Sequence, residues 1–254
     1  MKLNIVPART GFQWVKLGIR TFVKQPLALA GLFFMYMTAV IAVAQVPVLG
    51  VLIGGLLVPA ATLGLMVATE EATKGRFPMP SVLLSAFRAG RQRARAMLLL
   101  GVIYTVGSLL ATSLASLLTG GQPAGEGQLD LTTLLALVLH TPLFLMFWHA
   151  PALVHWHGVT PAKSLFFSLV ACLRNFGAFA VYGVGWMGVF VGIGTAFALA
   201  GGMIGGAMMA RAVMMPVALL MAAMFSTSVY FTFRDCFVET PGPEPSPAPE
   251  LPST

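Results

Sequence analysis

Acidic side chains are scarce in this chain. Eight Asp and Glu among 254 residues, and 9% charged residues in all, leave no paired carboxylates for acid–base chemistry. They also leave too little polar surface to hold a chain with 57% hydrophobic residues and a mean hydropathy of +0.87 in water. Cysteine is rarer still. Cys172 and Cys236 form no Cys-x-x-Cys pair, and no Gly-rich phosphate loop or nucleophile elbow is present. The alternating pattern of a membrane β-barrel is missing too. These absences predict a protein that is not an enzyme and carries neither cofactor nor metal.

What is present is long apolar runs. A hydrocarbon core of about 30 Å takes roughly 17 to 25 helical residues per crossing. Six segments qualify: Leu27–Ala44, Val51–Ala68, Met97–Leu118, Leu134–Val154, Ala178–Ala198 and Val213–Phe233, none containing Lys, Arg, Asp or Glu. Helices are required, because a lone run in lipid must satisfy its own backbone hydrogen bonds. The leader before Leu27, with Ala42-Val43-Ala44, resembles a secretory signal and its cleavage site. That leader is long and amphipathic, however, and cleavage would remove a member of the repeat described below.

Charge orients the runs. Threaded through a bilayer, they put fourteen of the fifteen Lys and Arg on one side and only Arg211 on the other. Short basic loops stay in the cytoplasm, so both termini are expected there, in a bacterial inner membrane. The net charge of +7 is then a topological signal and requires no nucleic-acid partner. Both cysteines fall on the cytoplasmic side, where thiols stay reduced.

The chain also repeats itself. A basic residue followed by an amide precedes each outbound run: Lys24-Gln25, Arg91-Gln92 and Arg174-Asn175. A shift of 83 positions carries Arg91 to Arg174, Pro59 to Pro142, Pro78 to Pro161, Ser81 to Ser164 and Ser85 to Ser168. A shift of 67 carries the first basic–amide pair to the second, and Pro216 lies in the third inbound run near the depth of Pro59 and Pro142. The expected fold is therefore all-α: six transmembrane helices in three hairpins, each preceded by an amphipathic interfacial helix. The repeats cover about residues 11–77, 78–160 and 161–237 of a single membrane domain, followed by a disordered Pro-rich tail over 238–254. The outer turns are Gln45–Gly50, Thr119–Thr133 with Glu126 and Asp130, and Gly201–Gly206, read as connectors.

At 100° per residue, the first interfacial segment gathers Phe12, Val15, Ile19, Phe22 and Val23 beside a stripe of Lys16, Arg20 and Lys24. In the second, Ser81, Ser85, Arg88, Arg91, Gln92 and Arg95 oppose Leu83, Phe87 and Ala94; in the third, Ser164, Ser168 and Asn175 oppose Leu165, Phe166, Leu169 and Leu173. Lys16, Arg20, Lys24, Arg88, Arg91, Arg95 and Arg174 are the candidate lipid-interface residues. Their partners would be anionic headgroups, at about 1 kcal/mol of attraction per basic residue.

The four histidines, His140, His149, His155 and His157, lack the i, i+3 or i, i+4 spacing of a helical metal site. His149, His155 and His157 read as interfacial residues beside Trp148 and Trp156. His140 lies deepest inside a run; it marks a candidate polar path, or bonds a carbonyl freed by Pro142. Glu70 and Glu71, at the inner mouth of the second run, read as solvated loop charges, although Lys74 and Arg76 are within reach to pair with them. The glycine pairs Gly50/Gly54, Gly188/Gly192 and Gly201/Gly205 read as helix-packing spots, and the many methionines as apolar filling.

The opening Met1-Lys2-Leu3 and Val6-Pro7-Ala8-Arg9, with Gly11, Trp14-Val15, Phe22 and Pro26-Leu27, resembles a betaproteobacterial family of integral membrane proteins with no assigned activity, over residues 1 to about 237. The repeated layout is also similar to the membrane domains of bacterial glycerophosphodiester phosphodiesterases. Their soluble catalytic domain has no counterpart here, so no catalytic residue carries over. The reading is a non-enzymatic module that engages lipid or a membrane partner; the alternative is a transport or channel module for a small solute.

Overall fold

In the computed structural model, residues 1–47, 49–120 and 130–238 are described. Glu126 and the Pro-rich tail from 239 onward lie outside them. Val238, placed at the start of that tail by sequence, instead belongs to a short strand.

The described chain is helical almost throughout: α1 Thr10–Lys24, α2 Pro26–Ala44, α3 Leu49–Thr73, a 3-10 turn Pro80–Leu84, α4 Ser85–Arg88, α5 Arg91–Thr119, α6 Leu131–Phe147, α7 Ala150–His157, α8 Pro161–Arg174 and α9 Phe176–Cys236. Among the described residues, five helical stretches are long and apolar enough to cross a membrane: α2, α3, α5, α6 with α7, and α9. Large apolar side chains cover the outside, with Leu27, Leu117, Met203, Ile204 and Met208 each at least 80% exposed. Water does not tolerate such a surface; lipid does. Several of the methionines thus face outward and do not serve as filling.

α9 spans 61 residues but is not one rod. Gly205 and Gly206 leave helical geometry, Gly206 at a φ of +67° that only glycine adopts without strain. The limbs on either side, 176–204 and 207–236, run back along one another: Gly201 packs on the backbone of Ala210, and Ser228 accepts hydrogen bonds from the Tyr182 hydroxyl (2.6 Å) and Trp186 Nε1 (3.1 Å). The turn takes two residues where the sequence suggested six.

Two further stretches break where the sequence reads as continuous. The second interfacial segment is a 3-10 turn and one turn of helix, stopped at Gly90 (φ +101°), so Arg91, Arg93 and Arg95 begin the spanning helix α5. The fourth run breaks at Trp148–His149, between α6 and α7. Two features act there: Pro151 at the start of α7 has no N–H for the Phe147 carbonyl, and a side chain is inserted into the helical ladder. Ser168 Oγ of α8 donates to the Leu145 carbonyl at 2.7 Å and accepts the His149 N–H at 3.0 Å, replacing the bond those two groups would have made with each other.

The segments ahead of the hairpins do not lie loose on the surface. α1 packs chiefly on α9, the 3-10 turn and α4 on α3, and α8 on α6 and α7. The 3-10 turn and α4 thus lean on the helix that carries Pro59, α8 on the one that carries Pro142, and α1 on both limbs of α9, the second of which carries Pro216, so the contacts close a ring. Gly64 of α3 meets the backbone of Leu83, and Gly18 of α1 meets Ser228 of α9. Hydroxyls inside the spans bond back to the carbonyl four residues earlier, as Thr62 to Val58, Thr105 to Gly101 and Thr227 to Ala223. This local bonding satisfies them without water.

These packings reverse one predicted face and rotate another. In α8 the serine side is the buried one: Ser164 and Ser168 are sealed inside, and Phe166 and Leu173 point outward. In α1 the buried face is Thr10, Gly11, Trp14, Val15, Gly18, Thr21 and Phe22, leaving Phe12 and Val23 exposed. Where the medium is hydrocarbon, small and hydroxyl-bearing residues give the close contact and hydrogen bonds that helix pairs need.

The termini of the helical body meet. β1 (Lys2–Leu3) pairs antiparallel with β2 (Phe237–Val238), and Trp14 Nε1 donates to the Asp235 carboxylate at 2.9 Å. Asn175 fastens the N-terminal segment, accepting the Val6 N–H at 2.8 Å and donating to the Asn4 and Ala171 carbonyls. The repeated amides do not share this role. Gln92 is exposed, and the buried Gln25 Oε1 has no hydrogen-bond partner.

Candidate functional site

Two features stand out once the helices are placed: a basic rim and a cavity. Lys16, Arg20 and Lys24 lie on the exposed side of α1, in the same arc as Phe12 (60% exposed) and Val23 (64% exposed). Arg174 is exposed at the end of α8 beside Leu173, and Arg88, Arg91 and Arg95 are exposed around the break at Gly90. Among the described residues, the ion pairs are Lys74 with Glu70 at 2.6 Å, Arg76 with Glu71, and Arg234 with Asp235 at 2.8 Å. The first two join charges that the sequence reading took foremost as solvated loop charges, and none involves a rim residue.

The histidines separate. His149 is not interfacial: it is fully buried, ringed by Phe179, Phe233 and Phe237. The Thr232 hydroxyl donates to the Val229 carbonyl and accepts from Trp148 Nε1, so His149 Nε2, 3.2 Å away, acts as a donor. His149 Nδ1 then carries the lone pair and faces Cys172 Sγ at 4.0 Å. Burial pushes the Cys172 thiol up to about 12, which keeps it protonated and unreactive at neutral pH. His155 meets Trp156 edge-on, and His157 meets Phe233 at a tilt of 47°. Among the described residues no three His, Cys, Asp or Glu side chains are grouped to hold a metal.

His140 is held inside the bundle. Its Nδ1 donates to the Ala136 carbonyl at 2.7 Å, and its Nε2 lies 3.1 Å from the Ser108 hydroxyl, which then donates to it. The carbonyl is not the one freed by Pro142, which is that of Val138, four residues before the proline. Asp130, read from sequence as a connector acid, caps α6 by accepting the Thr133 N–H at 2.8 Å. This interaction with Thr133 holds its carboxyl below the ordinary carboxylate range.

The cavity lies between the three proline-bearing helices, α3, α6 and the second limb of α9, with α2 and α5 completing the wall. Its volume is about 390 Å³. The walls include Phe33, Tyr36, Tyr104, Phe147, Trp148 and Phe225, with His140 and Thr62 among the few polar groups and no Lys, Arg, Asp or Glu. Most lining residues of these helices follow the proline, as Thr62, Leu65 and Met66 follow Pro59 and Phe225 and Val229 follow Pro216, while Val58 and His140 precede theirs. Sequence reading singled out His140 but missed Tyr36 and Tyr104. The available signal was a phenol well inside an apolar run, which needs a partner for its hydroxyl.

The chain is 36% identical to a probable inner membrane protein of Burkholderia thailandensis, over all of this chain and 99% of that one. No known family model matches the chain. No solved structure matches it either.

Proposed function

The chain belongs to the family of the Burkholderia thailandensis protein, and on that premise we propose that it is a multi-pass inner-membrane module, not an enzyme, whose basic rim engages anionic lipid headgroups. It crosses the membrane six times as three tandem hairpins about a pseudo-threefold axis, with both termini in the cytoplasm. The closed ring of leader segments on proline-bearing helices supports this arrangement, as does the two-limbed α9. Reporter fusions test it. Tags before Met1 and after Thr254 are expected to read cytoplasmic and an insertion at Gly121 periplasmic; a reversed reading at any of the three ends the layout.

The observation that carries the lipid reading is one arc of α1 where Phe12 and Val23 are exposed among Lys16, Arg20 and Lys24. Neither water nor hydrocarbon alone solvates that mixture; the headgroup boundary does, with apolar rings below and ammonium and guanidinium groups among phosphates. Replacing Lys16, Arg20 and Lys24 together by Gln is expected to lower the preference for phosphatidylglycerol over phosphatidylcholine on the order of tenfold or more, measured by native mass spectrometry of lipid adducts. Added salt should weaken the wild-type preference. An unchanged preference in the triple variant, or solute flux in liposomes abolished by His140→Ala, would favour the transport alternative and displace this reading.

A further inference from the structure

We propose that the cavity between α3, α6 and the second limb of α9 is a binding site for an uncharged, chain-bearing membrane lipid with a planar carbonyl head, the chemistry of an isoprenoid quinone. The inference stands apart from the basic rim and uses none of its residues. Charge is excluded first: no Lys, Arg, Asp or Glu lines the cavity and both ring nitrogens of His140 are already engaged, so a carboxylate or phosphate there would go unpaired in an apolar surrounding. Hydrogen-bonding capacity comes next. Thr62 and Ser226 donate to carbonyls of their own helices, and His140 is engaged by Ala136 and Ser108. Tyr36 and Tyr104, half-buried on the cavity wall, are the exceptions: neither hydroxyl bonds any described residue, although a phenol set among apolar side chains generally finds a partner. Two unspent donors on the wall of an uncharged cavity call for an acceptor such as a carbonyl oxygen.

The walls favour a flat head. Phe144 meets Trp148 edge-on at 4.8 Å, Tyr104 meets Phe147 at 5.2 Å, and Phe225 lies 6.2 Å from Trp148. Such edge-on and tilted rings offer faces and edges for another ring to pack against. About 390 Å³ lies within the roughly 300–1,000 Å³ range of small-molecule sites. The cavity is not sealed, and Phe144 on its α6 wall is 56% exposed, so the chain of the ligand leaves sideways into lipid.

The test is native mass spectrometry of the detergent-purified full chain titrated with a decyl-tailed benzoquinone, with dioctanoylglycerol in parallel. Saturable binding of one quinone per chain is expected, at least tenfold tighter than dioctanoylglycerol. Tyr36→Phe with Tyr104→Phe removes both hydroxyls and keeps both rings, and should weaken binding about tenfold or more. Ala222→Phe, which fills the cavity, should abolish binding while the variant still melts cooperatively; should it fail to fold, the double phenylalanine variant decides alone. Absence of saturable quinone binding, equal binding by the tyrosine-less variant, or equal affinity for dioctanoylglycerol would each overturn the proposal. Loss of lipid preference in rim variants would leave it untouched.

Discussion

Gly18→Leu is expected to lower the melting midpoint in detergent by on the order of 10 °C, and Gly11→Leu to do at least as much. At Gly18 an added Cβ would lie 2.4 Å from the Ser228 Cβ and 2.8 Å from its Cα; at Gly11 it would lie 2.1 Å from the Ala178 carbonyl oxygen. Both contacts are with backbone or its first side-chain atom, in helices that cannot move aside singly. Overpacking of this kind costs about 1–3 kcal/mol and more where the neighbour is rigid. Separation of α1 from α9 would also expose Trp14, which is fully buried and whose indole bonds Asp235. Gly188→Ala and Gly192→Ala are the controls, since nothing lies within 4 Å of a Cβ at either position. They should be neutral or slightly stabilising, because alanine favours a helix by up to about 1 kcal/mol over glycine. If Gly18→Leu and Gly188→Ala melt alike, α1 is not seated on α9 as described.

Ser168→Ala is expected to destabilise the chain by about 3 kcal/mol, although it removes a single oxygen. That oxygen serves both the Leu145 carbonyl and the His149 N–H; Ser168 and His149 are fully buried and Leu145 partly so. Each buried polar group left unpaired costs about 1–3 kcal/mol; Cys172 Sγ, 3.7 Å from the same carbonyl, compensates weakly. Ser85, its counterpart 83 positions earlier, bonds only the Val82 carbonyl three residues before it. Ser85→Ala should therefore cost well under half as much. Thermal melts of the two variants, with hydrogen exchange at the His149 amide, separate the cases. Equal losses, or a His149 amide unaffected by Ser168→Ala, would mean that the serine does not hold the α6–α7 break.

The glycine readings show where sequence spacing succeeded and failed. Gly50, Gly201 and Gly205 do meet neighbouring chain, but Gly54, Gly188 and Gly192 face open space, and the tightest approaches are at Gly11 and Gly101, with Gly18 as close as Gly50. Four-residue spacing marks one helix face and says nothing of whether a second helix lies against it. The amphipathic plots failed for a related reason. In water the apolar face of a helix turns inward; at a membrane the apolar outside removes that rule. Ser164 and Ser168 are buried because their bonds are made inside.

The sequence by itself determined the solvent and the all-α membrane class. Unbroken apolar length and the shortage of charge are local properties, and the hydrocarbon thickness converts length directly into spanning helices. The 83-residue correspondence was likewise legible, because it is written in residue identities. The tertiary structure alone decided that Ser168 enters the ladder of α6, that His149 lies buried among phenylalanines, and that Tyr36, Tyr104 and His140 border one cavity. Those outcomes depend on which helices become neighbours and at what rotation, and lipid, being indifferent to which apolar face it wets, leaves that choice to packing and hydrogen bonds between residues far apart in the chain.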